Sequence, residues 1–254
     1  RWKRVTGVQT CALPISPVIM GVMINNFLPE EYRSLISFDK VTWNASEFSA
    51  LLNASVVLVK SGLLNFTGDN FDFSNLTEAM VNDLAKYLSQ SKVITSNLNG
   101  LIQLLLDSAG IFEGATIEFK LLEEEEWTET ELRAIFNSAR VLVNADLEHL
   151  DTLSDENIND LALYLSSSKF IRINLNPIIE YFLGTAGNLF GDAEIEFVLL
   201  EDEDWTKDEL SNLFHAAKLL TGTDFNDFAS VSDEVIDDLA TYLSGSKFIT
   251  HNLN

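Results

Sequence analysis

Apolar residues recur at helical spacing in three stretches. Leu132, Ile135, Phe136, Ala139, Leu142 and Val143 keep to the i, i+3, i+4, i+7 rule. Phe48, Leu51, Leu52, Leu58 and Val59 do so earlier, and Leu210, Leu213, Phe214 and Ala217 later. Each stretch predicts a helix with one buried face. Each is also announced by a tryptophan: Trp43, Trp127 and Trp205, spaced by 84 and 78 residues. A glutamate follows four residues on in every case, as Glu47, Glu131 and Glu209. Thr128 with Glu131 and Thr206 with Glu209 predict capping boxes, in which hydroxyl and carboxylate satisfy each other's free amides. Asn44 with Glu47 is the near equivalent. The tryptophans read as hydrophobic staples ahead of each helix rather than as sugar platforms.

A second helix is predicted after an acidic loop. Thr77, Ser154 and Ser232 are its expected N-caps, with Asp155 and Asp233 in the first turn, where the helix dipole favours negative charge. Ile158, Leu161, Ala162 and Leu165 form its apolar stripe. Leu84, Leu161 and Leu239 hold one register, as do Tyr87, Tyr164 and Tyr242. The third element is the best-preserved string: SKVITSNLN from Ser91, SKFIRINLN from Ser168 and SKFITHNLN from Ser246. It predicts a short helix capped by serine. Gly100 and Pro177 then share one place, and the proline should kink a continuous helix or open a new one capped by Asn176. Between units, Ile117, Phe119 and Leu121 match Ile195, Phe197 and Leu199. That period of two predicts a short strand or extended link.

The expected fold is mainly α: tandem three-to-four-helix repeats stacked in series, α-solenoid-like, with a short extended segment per repeat. One unit cannot bury its apolar faces alone, so its neighbours must cover them. The units are placed at 34–114, 115–192 and 193–254, the last truncated. Residues 16–33 resemble the end of a preceding repeat, so the chain reads as a fragment of a larger repeat protein. Residues 5–15, VTGVQTCALPI, resemble a translated sequencing adapter, and 1–15 are set aside as non-native. The basic start and the apolar run from Pro17 imitate a signal peptide, but the repeat accounts for that run.

Charge narrows the partners. Against 39 Asp and Glu stand 16 Lys and Arg, a net charge of −23, or −26 without Arg1, Lys3 and Arg4. Such a chain repels nucleic acid and anionic lipid, so no nucleic-acid partner is expected, and basic protein surfaces or cations remain. No apolar run is long enough to insert in a membrane. Cys11 is the single cysteine, which excludes a disulfide framework or a zinc cluster.

Chemistry-bearing residues offer little. His149, His215 and His251 fall at three different repeat positions without ligand spacing, and read as surface or partly buried histidines. No phosphate loop, dinucleotide or nucleophile motif occurs. The acidic runs Glu123–Glu126 and Glu201–Asp204 should complement the dipole of the helix that follows. Asp69, Asp146 and Asp224 share a loop position and are weak metal candidates, since none has calcium-hand spacing. Asn97, Asn174 and Asn252 are expected to be buried amides tying loops of adjacent units. Lys92, Lys169 and Lys247 sit at the cation-unfavourable end of a helix, and are expected to be offset by Asp83, Asp160 and Asp238 of the second helix.

The pattern W-T-x-x-E-L, D-L-A-x-Y-L and S-K-F-I-x-x-N-L-N, over nearly all of residues 16–254, resembles repeats of very large secreted or surface-attached bacterial proteins. The resemblance implies an extracellular or cell-surface scaffold, acidic and poor in cysteine. The expectation is therefore a non-enzymatic spacer or protein-interaction scaffold without cofactors, whose partners include neighbouring repeats of its own parent chain. The alternative is a calcium-responsive binding module of a surface adhesin.

Overall fold

A computed structural model describes residues 37, 41–62, 75–102, 119–144, 150–185 and 197–253. Residues 1–33, Asp69, Asp146, His149, Ile117 and Ile195 lie outside them. The fold is mainly helical. The helices are α1 (Ala45–Ser61), α2 (Glu78–Gln90), α3 (Lys92–Thr95), α4 (Glu129–Asn144), α5 (Asp155–Ser167), α6 (Lys169–Thr185), α7 (Lys207–Gly222), α8 (Asp233–Gly245) and α9 (Lys247–Asn252). Short 3-10 turns precede α4, α5, α7 and α8.

Local chemistry explains where these helices begin. Asn44 caps α1, its side chain accepting from the amides of Ser46 and Glu47. Thr77, Ser154 and Ser232 cap α2, α5 and α8, and Thr206 caps α7. Each supplies an oxygen to a first-turn amide that would otherwise lack a partner. Helix α1 ends at Gly62, whose φ of 80° returns its amide to the Val59 carbonyl, a conformation that only glycine adopts cheaply.

Two sequence expectations that each left two outcomes open are narrowed here. Pro177 neither opens a helix nor leaves Asn176 as a cap, because α6 continues through it from Lys169 to Thr185. The alternating segments form no strand among the described residues. The backbone at Lys120 and Val198 bonds instead to asparagine side chains, so pairing with a neighbouring strand is not required there.

The helices pack in chain order: α1 on α2, α2 on α4, α4 on α5, α5 on α7 and α7 on α8. The apolar clusters follow the junctions. One joins Ala54 and Val57 of α1 and Val81, Leu84, Ala85 and Leu88 of α2 to Leu122, Trp127 and Leu132. The other joins Ala162 and Leu175 to Leu200, Trp205 and Leu210. Each core is thus shared between a stretch that begins at one tryptophan and the stretch before it.

Trp127 and Trp205 are fully buried, whereas Trp43 is half-buried. Trp205→Ala is expected to cost about 3–5 kcal/mol, the usual loss for a large core aromatic. Trp43→Ala should cost clearly less. Urea unfolding of both variants checks the order, and equal losses would contradict it.

Candidate functional site

The most connected polar groups are three buried carboxylates. Glu131 stands in the first turn of α4, yet its side chain leaves that helix and meets the start of α6. Glu131 Oε1 accepts from the Ser168 hydroxyl at 2.5 Å and the Phe170 amide at 3.0 Å, and Oε2 from the Lys169 amide at 2.8 Å. Glu47 treats Ser91, Lys92 and Val93 in the same way. Glu209 does so with Ser246, Lys247 and Phe248. The serines are buried and also accept from the amide three residues on. A carboxylate facing free N–H groups at a helix start gains both hydrogen bonds and a favourable dipole. The capping boxes are therefore half present. Thr128 and Thr206 do accept from the amides of Glu131 and Glu209, but the glutamates cap a different helix instead of returning the bond.

A second set of ties uses Asn97, Asn174 and Asn252. Asn174 Oδ1 accepts from the Lys120 amide at 2.8 Å, while its Nδ2 donates to the carbonyls of Lys120 and Phe170. Asn252 repeats this with Val198 and Phe248, and Asn97 with Ser37 and Val93. The side chain imitates a neighbouring backbone, matching one donor and one acceptor. These ties close within one unit, between its leading segment and its third element, rather than between adjacent units as expected.

The bonds that do cross between units come from residues the sequence reading passed over or assigned otherwise. The Trp127 indole N–H donates to Asn99 at 2.9 Å, and Asn99 donates to the Leu122 carbonyl. Trp205 does the same with Asn176, which donates to Leu200. The recurring N-L-N string held this signal in its second asparagine. Trp127 lies on Phe170, and Trp205 on Phe248.

Lys92, Lys169 and Lys247 find carboxylates, but not the expected ones. Lys169 pairs with Glu126, Lys247 with Asp204 and Lys92 with Glu124, in place of Asp160, Asp238 and Asp83. The acidic runs fold as 3-10 turns and hold their side chains beside the third element. Lys92 meets the following run instead; at the place of Glu126 and Asp204, one residue before the tryptophan, the first stretch has Thr42. The Lys169 hydrogen bond holds Glu126 below the usual glutamate range, helped by the Glu123 amide and opposed by desolvation.

His215 is buried and stacks on Tyr242 with ring centroids 4.7 Å apart. Burial lowers its pKa, against the pull of Asp155, which lies 3.9 Å away and also meets Lys218 at 2.8 Å. Asn53 and Asn137 occupy the corresponding positions ten residues after the other tryptophans. Asp224 is exposed. Among the described residues, no three His, Cys, Asp or Glu side chains converge as metal ligands would, and no helix is long and apolar enough to cross a membrane. An open hollow of about 410 Å³ lies where Gln90, Lys92, Glu124, Trp127 and Glu129 meet, its lysine already engaged by Glu124. No family model, curated protein or solved structure matches the chain.

Removing the carboxylate should be costly. Glu131→Ala leaves two amides and a hydroxyl without their acceptor and is expected to lose roughly 3 kcal/mol. Glu131→Gln keeps one oxygen but sets an amide against the Lys169 N–H, and should fall between. Urea midpoints measure this, and an alanine variant as stable as the parent would refute the tie.

Lys169→Met tests the exposed bridge. Because the folded Glu126 pKa lies below its unfolded value, the stabilisation is complete above the usual glutamate range and is lost as pH falls through the folded value. The parent should therefore outlast the variant at neutral pH and low salt. The gap should close under acid, and also near 1 M salt, where charges are screened within about 3 Å.

Proposed function

We propose that the chain is a non-enzymatic scaffold: tandem three-to-four-helix units, stacked in series as an α-solenoid, that hold a spacing or present a surface to other proteins. The observation that carries this is the use of the recurrent polar residues. Glu131, Ser168, Asn174 and Lys169 recur because they close the chain on itself. Their counterparts near Glu47 and Glu209 are committed in the same way. A catalytic cleft requires groups left open to a substrate and carboxylates in differing environments; repetition of one closed bond pattern argues for architecture. The packing order of α1, α2, α4, α5, α7 and α8 supports a series in which each unit covers the one before. A secreted or cell-surface place for it rests on the resemblance of the repeat strings.

Small-angle scattering at low protein concentration tests the reading. A compact globule of this length has a radius of gyration of about 18 Å, and a stacked series should exceed it, with the drawn-out distance distribution of a rod. Added calcium should leave both the profile and the thermal midpoint unchanged. A compact profile would overturn the series, and a calcium-dependent one would favour the cation-responsive module.

A further inference from the structure

Two boundaries between consecutive stretches are tied by an asparagine, and the residue that follows it differs. Asn99 Oδ1 accepts from the Trp127 indole at 2.9 Å, and its Nδ2 donates to the Leu122 carbonyl at 2.8 Å. Asn176 holds the Trp205 indole at 2.9 Å and the Leu200 carbonyl at 2.7 Å. The partners match, but Gly100 follows the first asparagine and Pro177 the second. Asn99-Gly100 is also the only Asn-Gly pair in the chain. An asparagine side chain is open to attack by the backbone nitrogen of the next residue. That attack requires a nitrogen that carries a hydrogen and has little bulk around it. Gly100 offers both, whereas the proline nitrogen has no hydrogen to give up.

We propose that Asn99 is a site of spontaneous deamidation, which loosens the boundary at Trp127 and leaves the one at Trp205 intact. The Gly100 nitrogen attacks Asn99 Cγ, its proton passes to the side-chain nitrogen, and ammonia leaves behind a cyclic imide. Water then adds to either imide carbonyl and opens the ring. One opening gives aspartate. The other gives isoaspartate, whose main chain runs through the former side chain. The balance is water consumed and ammonia released, with no oxidant, reductant or enzyme. Ring closure requires Gly100 to leave the helical conformation held by residues 98–102. Proline aside, glycine leaves a helix most readily. Asn99 and Gly100 are only half-buried, within reach of solvent.

Either product spoils the tie. Aspartate keeps an acceptor for the indole but has no N–H for the Leu122 carbonyl, so two acceptors face each other where a bond stood. Its new charge also lies beside Leu122, next to the acidic run Glu123–Glu126, and like charges repel. Isoaspartate lengthens the main chain by one carbon and breaks the helical path at that point. The change is one-way and needs only time and water. The first boundary therefore ages, and the second is chemically barred from doing so.

Peptide mapping by mass spectrometry, on the full folded chain held in mildly alkaline buffer, tests this. Asn99 should lose its amide progressively, as aspartate and isoaspartate, while Asn176 stays whole. The urea midpoint should fall in step, toward that of freshly made Asn99→Asp. Gly100→Pro copies the second unit, where α6 runs through Pro177, and should keep both its amide and its midpoint. If that variant fails to fold by circular dichroism, Gly100→Ala takes its place; it crowds the attacking nitrogen and should slow the loss several-fold. An Asn99 amide that survives in the folded chain and is lost only in urea would overturn the proposal. So would a deamidated chain that unfolds at the parent's midpoint.

Discussion

Everything else in the molecule hangs on the carboxylate that reaches from the first turn of one helix to the amide end of another. Glu131 fixes where α6 starts relative to α4, and Glu47 and Glu209 do the same for α3 and α9. A buried carboxylate is expensive unless its oxygens are filled, and here three donors fill each one. Helices α3 and α9 need this help most, because helices of 4 and 6 residues are not stable alone. Once the start of the third element is fixed, the asparagine one turn on can reach the leading segment, and the lysine can reach the acidic turn. The polar frame therefore sets the angles between helices, and the apolar clusters fill the space it defines.

The apolar clusters complement this frame because they are not private to a unit. Trp127 and Trp205 each pack with aromatic rings of their own stretch and aliphatic groups of the preceding one. Their indole N–H groups bond to Asn99 and Asn176 across the same boundary. A buried indole needs a partner for its single donor, and that need fixes the register between one stretch and the next. Shared cores and boundary-crossing bonds tie the stretch that begins at each of these tryptophans to the one before it.

Much of the helical content was legible, because periodicity and caps are local. The i, i+3, i+4 stripes placed α4 and α5, and Thr77, Ser154 and Ser232 were found as caps. What the sequence concealed were partners chosen by tertiary geometry. Glu131 in S/T-x-x-E register looks the same whether it returns to its own N-cap or crosses to another helix; the choice depends on Ser168, 37 residues away. Lys169 was expected to seek the nearer second helix, but Glu126 is brought closer by a 3-10 turn that no periodic signal announces. For Pro177 the local signal left open a continuous helix or a new one capped by Asn176, and α6 runs through it.

The carboxylate–serine tie spans 44 residues in the first case and 37 in the second and third. The same geometry is reached despite this difference in chain length, and the extra residues fall between the first and second helices. Lengthening a loop from 37 to 44 residues changes closure entropy by only about 0.2 kcal/mol. That connection is thus a place where the chain can be lengthened without disturbing the frame. Variety in what the protein displays could accumulate there while the helices beneath keep one form.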